Sequence, residues 1–478
     1  MDIRGILKEK FGFDEFRPGQ EDVIRDVITG KDTIAILPTG MGKSLCYQLP
    51  AYAMDGQVLI ISPLVSLMED QVAAMKRQGE KRVVALNSFL SYSEKQRIMA
   101  EMGQYKFVFI SPEMLVQKNV TSHFQTTNVT LLVVDEAHCI SQWGFDFRPD
   151  YLRIGEFFSG SNRPTVLALT ATADDKVIAD MTRYLQLKSP TIHRHSVDRP
   201  NISYSMVKVN SEGEKTEWIK ERTLSTAGPG IIYVASRKRA DELASILQQQ
   251  NVSSASYHAG KEQEDRAFIQ EQFINGEIHW ICATNAFGMG IHKDDVRQII
   301  HEHVPQAIAG YIQEVGRAGR DGDLSAATLL YSPDDEGRMR FIIQENFPKE
   351  REIRYYERLI AENIPSSEAA EMASIHETGK RVIDYYLERM TIEEAILLMD
   401  ELIREKEAQL QKMLRLIYTN QCIRKEVLAC FGENLHSKSK SCCSVCGIED
   451  DRWLMDMKSI VYNKKCMGWQ ERLIAILG

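Results

Sequence analysis

The sequence predicts an α/β protein in which two tandem parallel-sheet domains are followed by a mainly helical region carrying a cysteine cluster. Three observations predict this. The chain has 478 residues, beyond the roughly 250–300 residues over which one hydrophobic core keeps growing. Short apolar runs ending in polar or Gly-rich turns alternate twice over with amphipathic stretches, the pattern of buried parallel strands joined by helices. Beyond residue 340 the strand pattern stops and charged, amphipathic sequence with few helix breakers replaces it.

Bulk properties exclude several classes. Hydrophobic residues make up 44% and charged residues 26%, ordinary values for a globular chain, and no apolar run approaches the ~18 residues of a membrane span. The start, Met1-Asp2-Ile3-Arg4-Gly5-Ile6, lacks the basic-then-apolar order of a secretory signal. A cytoplasmic location is therefore expected. The net charge of -9 argues against a protein that coats nucleic acid by bulk electrostatics and leaves a local groove as the alternative.

In the first domain the runs at 33–37, 58–61, 107–110, 131–134 and 166–169 read as strands. In open α/β sheets ligands sit beyond the carboxyl ends of strands, so the chemistry is expected in the turns. Leu37-Pro38-Thr39-Gly40-Met41-Gly42-Lys43-Ser44 follows one strand and opens a helix, the setting of a phosphate-binding loop. Backbone amides of Thr39, Gly40 and Gly42 suit phosphates, Lys43 suits the β and γ phosphates, and Ser44 suits Mg²⁺. Asp135 and Glu136 stand just past another strand. Asp135 suits Mg²⁺, and Glu136 suits polarising a water that attacks the γ-phosphate. Close behind them, Trp143, Phe145, Phe147 and Arg148 crowd a loop with Gly144 and Pro149, a surface suited to stacking single-stranded bases. His138, between the acids and this loop, is positioned to relay one to the other.

Asp198-Arg199-Pro200-Asn201 reads as a linker, after which runs at 230–234, 254–257, 280–283 and 298–301 form a second strand set. Gln313, Arg317 and Arg320, in Gln313-Glu314-Val315-Gly316-Arg317-Ala318-Gly319-Arg320, can reach across a cleft toward transferring phosphoryl charge. This places the ATP site between domains, where hydrolysis converts to domain motion. Thr284 and Lys293, in a Gly-rich turn, suit contacts to a nucleic-acid backbone. Cys422, Cys442, Cys443 and Cys446 suit a tetrahedral Zn²⁺, with Cys430 a rival to Cys442. Cys46, Cys139 and Cys282 read as packing residues. Boundaries are expected at 1–200, 201–343 and 344–447, with a tail at 448–478.

In order, Phe11-Gly12-Phe13-Asp14-Glu15-Phe16-Arg17-Pro18-Gly19-Gln20, Thr39-Gly40-Met41-Gly42-Lys43-Ser44, Ser62-Pro63-Leu64, Asp135-Glu136-Ala137-His138 with the aromatic loop, Thr170-Ala171-Thr172-Ala173 and residues 313–322 resemble the motif series of RecQ helicases in superfamily 2. The resemblance covers residues 1–345 and extends more weakly to Cys446, whose cysteine spacing resembles the RecQ zinc module. It implies two RecA-like domains, ATP, Mg²⁺ and Zn²⁺, and 3′ to 5′ movement on single-stranded DNA with duplex unwinding in recombination or repair. It also implies that Phe13, Arg17 and Gln20 hold the adenine, the alternative for Phe13 being a core aromatic, and that Ser62 and Thr170 serve DNA contact or coupling. Single-stranded and partly duplex DNA are the expected partners, with single-strand-binding or recombination proteins beside them and nucleoid association in a bacterium. An RNA helicase and an ATP-gated DNA-binding or annealing module are the alternatives.

The chain departs from the family pattern in two places. The stretch between Gly322 and Cys422 is longer than expected, and 353–417 reads as extra helix with an apolar stripe of Ile392, Leu397, Leu398 and Leu402. The stretch after Cys446 is too short for winged-helix and HRDC domains, so a short form without a long wedge hairpin is expected.

Overall fold

The computed structural model describes residues 2–448, except 88, 142–147, 158–162, 227, 286 and 288–292. Its first sheet comprises β1 (Thr33–Ile36), β2 (Gln57–Ile61), β3 (Val83–Leu86), β4 (Phe107–Ile110), β5 (Val129–Val134), β6 (Thr165–Thr170) and β7 (Thr191–Arg194). They lie in the order β3-β4-β2-β5-β6-β1-β7, every pair parallel. The second comprises β8 (Ile202–Lys208), β9 (Gly230–Tyr233), β10 (Ser254–Tyr257), β11 (Trp280–Ala283), β12 (Gln298–His301) and β13 (Ser325–Tyr331), in the order β10-β11-β9-β12-β13-β8, again all parallel.

The central strands form because helices cover both faces of each sheet, which selects unbroken apolar runs. Strand periodicity then divides each run between two cores: Ile34 and Ile36 of β1 join one, Ala35 and Leu37 the other. Three strands, β7, β8 and β13, lack that signature in the sequence. β7 is an edge strand whose residues are half-buried and exposed by turns, and β13 is wholly buried yet opens on Ser325-Ala326-Ala327, which carries no β-branched signal. β8 is interrupted by Ser203 and Ser205.

The helical region does not stand apart from the sheets. Helices Glu350–Ala361, Ser366–Met372 and Glu377–Leu387 bury Ile353, Tyr356, Leu359, Ile383 and Tyr386 in the same core as the first sheet. A 27-residue helix, Ile392–Tyr418, starts at a capping box between Thr391 and Glu394. Its first half, with Met399 and Leu402, belongs to that core; its second half, with Leu410, Met413 and Ile417, belongs to the core of the second sheet. The expected apolar stripe is corrected in one position. Leu397 is 62% exposed, and the buried line is Ala395, Met399, Leu402, Lys406, Leu410, Met413 and Ile417. These recur at three and four residues, and Leu397 falls outside that spacing.

Truncating Met399, which is 1% exposed, to alanine is expected to cost about 2–5 kcal/mol of local stability. Hydrogen exchange should accelerate across residues 350–402 while β8–β13 keep their protection; uniform exchange across both sheets would contradict the shared core with the first sheet alone.

Candidate nucleotide cleft and thiol cluster

The phosphate loop follows β1, and helix Leu45–Ala53 follows the loop. Gly42 has φ +71, the conformation that favours glycine, and a Cβ there would lie 2.8 Å from Gln20 Nε2. The Gln20 amide explains the crowding: Nε2 donates to the Met41 and Gly42 carbonyls at 2.9 and 3.0 Å, and Oε1 accepts from the Arg17 amide at 2.8 Å. Arg17 itself donates to the Gly40 carbonyl. Both side chains thus brace the phosphate loop from the segment to which the resemblance assigns the adenine. Phe13 is 57% exposed, which removes the core-aromatic alternative and leaves its ring open to stack.

Across the loop, Lys43 Nζ lies 3.4 Å from Glu136 Oε1. Glu136 is a non-glycine residue at φ +46, a conformation that costs on the order of 1–3 kcal/mol and gathers at functional sites. Burial pushes its carboxyl up, but Lys43 and His138 outweigh this and hold it low, at about 2. Asp135 moves the other way: burial and then the Glu136 charge raise it. His138 Nδ1 lies 3.3 Å from Glu136 Oε2 and 3.0 Å from Thr170 Oγ1, and Thr170 Oγ1 also donates to the Thr172 carbonyl at 3.0 Å. Glu136 is thereby tied to the turn after β6.

The second domain closes over this arrangement. Helix Ile308–Val315 delivers Gln313 and the arginine turn behind it. Thr39 Oγ1 donates to the Gly316 carbonyl at 2.9 Å, and a Cβ on Gly316 would fall 2.3 Å from that hydroxyl. The aliphatic stem of Arg320 lies against Gly40, where a Cβ would meet its Cγ at 3.3 Å. Gln313 and Arg317 are 8% and 7% exposed. Burial, then the neighbouring Arg317, pull the Arg320 guanidinium down to about 10. Lys43 stands beside the acidic pair, and Arg317 and Arg320 stand on the turn that meets the phosphate loop, a gathering of cationic groups that fits a polyphosphate and its divalent cation.

Other expected residues divide. Trp143, Phe145 and Phe147 lie outside the described residues. Arg148, at the end of that loop, donates to the Pro63 carbonyl at 2.8 Å. Ser62 and Thr170 are 1% and 0% exposed, so direct DNA contact by either side chain is corrected; Thr170 acts within the His138 network. Thr284 is half-buried, its amide bonded to the Tyr257 carbonyl at 3.3 Å. Lys293 is also corrected: it is 7% exposed, with Nζ 3.2 Å from the Ile274 carbonyl and 3.0 Å from Asp295, and is turned away from solvent phosphate.

Sulfur ligand atoms of Cys422, Cys442, Cys443 and Cys446 all lie within 4.8 Å of one another. The Cys422–Cys442 and Cys422–Cys443 separations are 3.6 and 4.0 Å, near the ~3.8 Å edge of a tetrahedron with Zn–S bonds of about 2.3 Å. Cys430 is exposed and outside this cluster. Cys46, Cys139 and Cys282 are fully buried in apolar cores. Residues that the sequence reading passed over also converge here. Arg199 of the linker reaches the phosphate loop and the arginine turn, and Arg424 and Glu433 of the cysteine region grip the linker. A charged pair inside a supposed linker, Asp198-Arg199, was the available signal.

Residues 17–181 match the DEAD/DEAH box helicase family, 214–322 the helicase conserved C-terminal domain, and 383–447 the RecQ zinc-binding family. The chain is 42% identical over 459 residues to the probable ATP-dependent DNA helicase RecS of Bacillus subtilis, covering 94% of this chain and 92% of that protein. It is 40% identical over 343 residues to the ATP-dependent DNA helicase RecQ of Pasteurella multocida, covering 71% of this chain and 54% of that one. In fold it is similar to Saccharomyces cerevisiae Dbp5 bound to RNA and ADP BeF3, with a TM-score of 0.60 at 18% identity, covering 72% of this chain and 90% of that chain. The two sheets are accordingly RecA-like domains that take ATP with Mg²⁺, and the thiol cluster takes Zn²⁺. Metal analysis should find one zinc per chain, lost on Cys443→Ser and kept on Cys430→Ser; loss in the second variant alone would reassign the ligand set. With motifs, two parallel sheets, cysteine tetrad and near-full-length similarity in agreement, this chain belongs to the RecQ family of ATP-dependent DNA helicases.

Proposed function

We propose that this chain moves 3′ to 5′ along single-stranded DNA and unwinds duplex at the expense of ATP, in recombination or repair within the cytoplasm or on the nucleoid. Family membership supports the substrate class and polarity. The single observation that carries the motor reading is the contact between phosphate loop and arginine turn, Thr39 Oγ1 to the Gly316 carbonyl at 2.9 Å. A site assembled from two domains is completed only when they close, so a cycle of binding and hydrolysis is also a cycle of domain motion.

In this reading residues 1–200 and 201–343 are the two motor domains and 344–447 the zinc-bearing helical module. The loop amides and Lys43 cradle the phosphates, and Phe13 stacks on the base. Ser44 and Asp135 hold Mg²⁺, which supplies charge neutralisation at the phosphates. Glu136, held ionised by Lys43 and His138, polarises the attacking water. Gln313, Arg317 and Arg320 meet the charge that develops on the transferred phosphoryl group. Trp143, Phe145, Phe147 and Arg148 stack on DNA bases, Thr284 touches the backbone, and the pair His138 and Thr170 passes DNA occupancy to Glu136.

ATP turnover measured with single-stranded DNA and with RNA, together with strand separation on 3′-tailed and 5′-tailed duplexes, tests the whole proposal. DNA stimulation and separation of the 3′-tailed substrate alone are expected. RNA stimulation, or hydrolysis without strand separation, would point instead to an RNA helicase or to an ATP-gated annealing module. Lys43→Ala should bring turnover to background, and normal hydrolysis in that variant would remove the site. Trp143→Ala should lose DNA stimulation and keep basal turnover; equal loss of both would count against the coupling role.

A further inference from the structure

The linker between the two sheets is held from both sides. Arg199 lies in it, after β7 and before β8, and its guanidinium spreads over four backbone carbonyls. Nη1 lies 3.4 Å from the Thr39 carbonyl of the phosphate loop and 3.4 Å from that of Gly316. Nη2 lies 3.2 Å from the Ala318 carbonyl and 2.5 Å from the Gly319 carbonyl. Asn201 adds a 2.8 Å bond to the same Gly319 carbonyl. One planar cation thus fixes the spacing between the loop that binds phosphate and the turn that carries Arg317 and Arg320.

From the opposite side the zinc module holds the linker. Arg424, two residues after Cys422 and 1% exposed, donates to Asp198 Oδ1 at 2.5 Å, to the Arg199 carbonyl at 2.9 Å and to the Ile202 carbonyl. Its guanidinium lies 5.1 Å from the Tyr204 ring centre and also hydrogen-bonds the Cys442 thiol. Glu433 accepts from the Val197 amide at 3.0 Å and from the Ser196 hydroxyl. Backbone bonds complete the grip: the Ser444 amide donates to the Tyr204 carbonyl at 2.8 Å, and the Tyr204 amide to the Cys442 carbonyl at 3.3 Å.

We propose that Arg199 is a positioning residue of the nucleotide cleft, and that the zinc module sets its position through Arg424 and Asp198. The inference rests on the motor reading above and deepens it. Arg199 touches no reacting atom; it acts by holding Arg317 and Arg320 at their working distance from the phosphate loop. Only arginine suits the task, because a lysine is a single point donor and cannot span acceptors on two segments. Phe13 and the phosphate loop stay on the first domain when Arg199 is removed, so ground-state binding of ATP survives while stabilisation of the transition state is lost.

The test uses the full zinc-loaded chain and compares ATP turnover with single-stranded DNA for wild type, Arg199→Ala, Arg199→Lys, Asp198→Asn and the Arg199→Ala, Asp198→Asn double variant, with Lys43→Ala as the inactive reference. Arg199→Ala is expected to lower kcat about 10- to 100-fold, the scale of a displaced catalytic group, with the ATP KM within about threefold, unchanged zinc content and an unchanged thermal midpoint. Arg199→Lys should recover only a small part of this. Asp198→Asn should lower kcat in the same direction, and the double variant should fall no further than Arg199→Ala, because both changes break one chain of contacts. Wild-type kcat in Arg199→Ala beside an inactive Lys43→Ala would overturn the inference and leave the motor reading intact. A loss of kcat accompanied by loss of zinc or of the thermal midpoint would reduce Arg199 to a structural role, and additive losses in the double variant would overturn the link to the zinc module. Activity in Lys43→Ala as well would overturn the motor reading itself.

Discussion

The approach of residues 316–319 to the phosphate loop is the constraint on which the rest of the molecule depends. Two sheets wound from separate stretches of chain must be oriented so that Gly316 meets Thr39, with a Cβ at Gly316 excluded by a 2.3 Å clash. In the closed arrangement that tolerance leaves no room for a side chain. Each sheet therefore needs its own core, and the joint between them needs additional hydrogen bonds, which Arg199 supplies.

Electrostatics follow from the same approach. Lys43 beside the acidic pair, and Arg199, Arg317 and Arg320 where the arginine turn meets the phosphate loop, gather cationic charge in the cleft, and burying like charges together is costly unless an anion joins them. Burial lowers both Arg199 and Arg320 from their ordinary values, a sign of how far the cleft is withdrawn from water. A triphosphate restores the balance locally, which is why a net charge of -9 says little about what this cleft binds. Glu136 gains from the arrangement. Held low by Lys43 and His138, it stays ionised beside an Asp135 whose carboxyl is raised, so the two acids are differentiated before any ligand arrives.

The helical region gives the two sheets a second connection. The helix Ile392–Tyr418 contributes to both cores, and its ends meet different partners. Ahead of it, Arg381 of the helix Glu377–Leu387 and Arg389 reach Asp150 and Glu156 of the first domain, while the cysteine region beyond its far end grips the linker. Exposed ion pairs of this kind contribute only about 0–1 kcal/mol each; the apolar line from Ala395 to Ile417 is what holds the helix in place.

The sequence by itself determined the chemistry-bearing turns. A phosphate loop, an acidic pair and an arginine turn are local, because each needs particular residue types at short spacing, and strands such as β1, β2 and β4 are legible because burial on both faces demands unbroken apolar runs; the cysteine cluster was visible as well, but the choice of Cys442 over Cys430 came from the fold. Tertiary structure decided what no local pattern encodes. The edge strand β7 and the small-residue strand β13 draw their conformation from their neighbours; Lys293 turned inward to Asp295, and Gln20 turned to the loop backbone. Arg199, read as part of a linker, became a brace because three distant segments, residues 39, 316–319 and 424, meet around it. Sequence spacing specifies which groups a turn offers; only the packing of two cores specifies which groups face each other across a cleft.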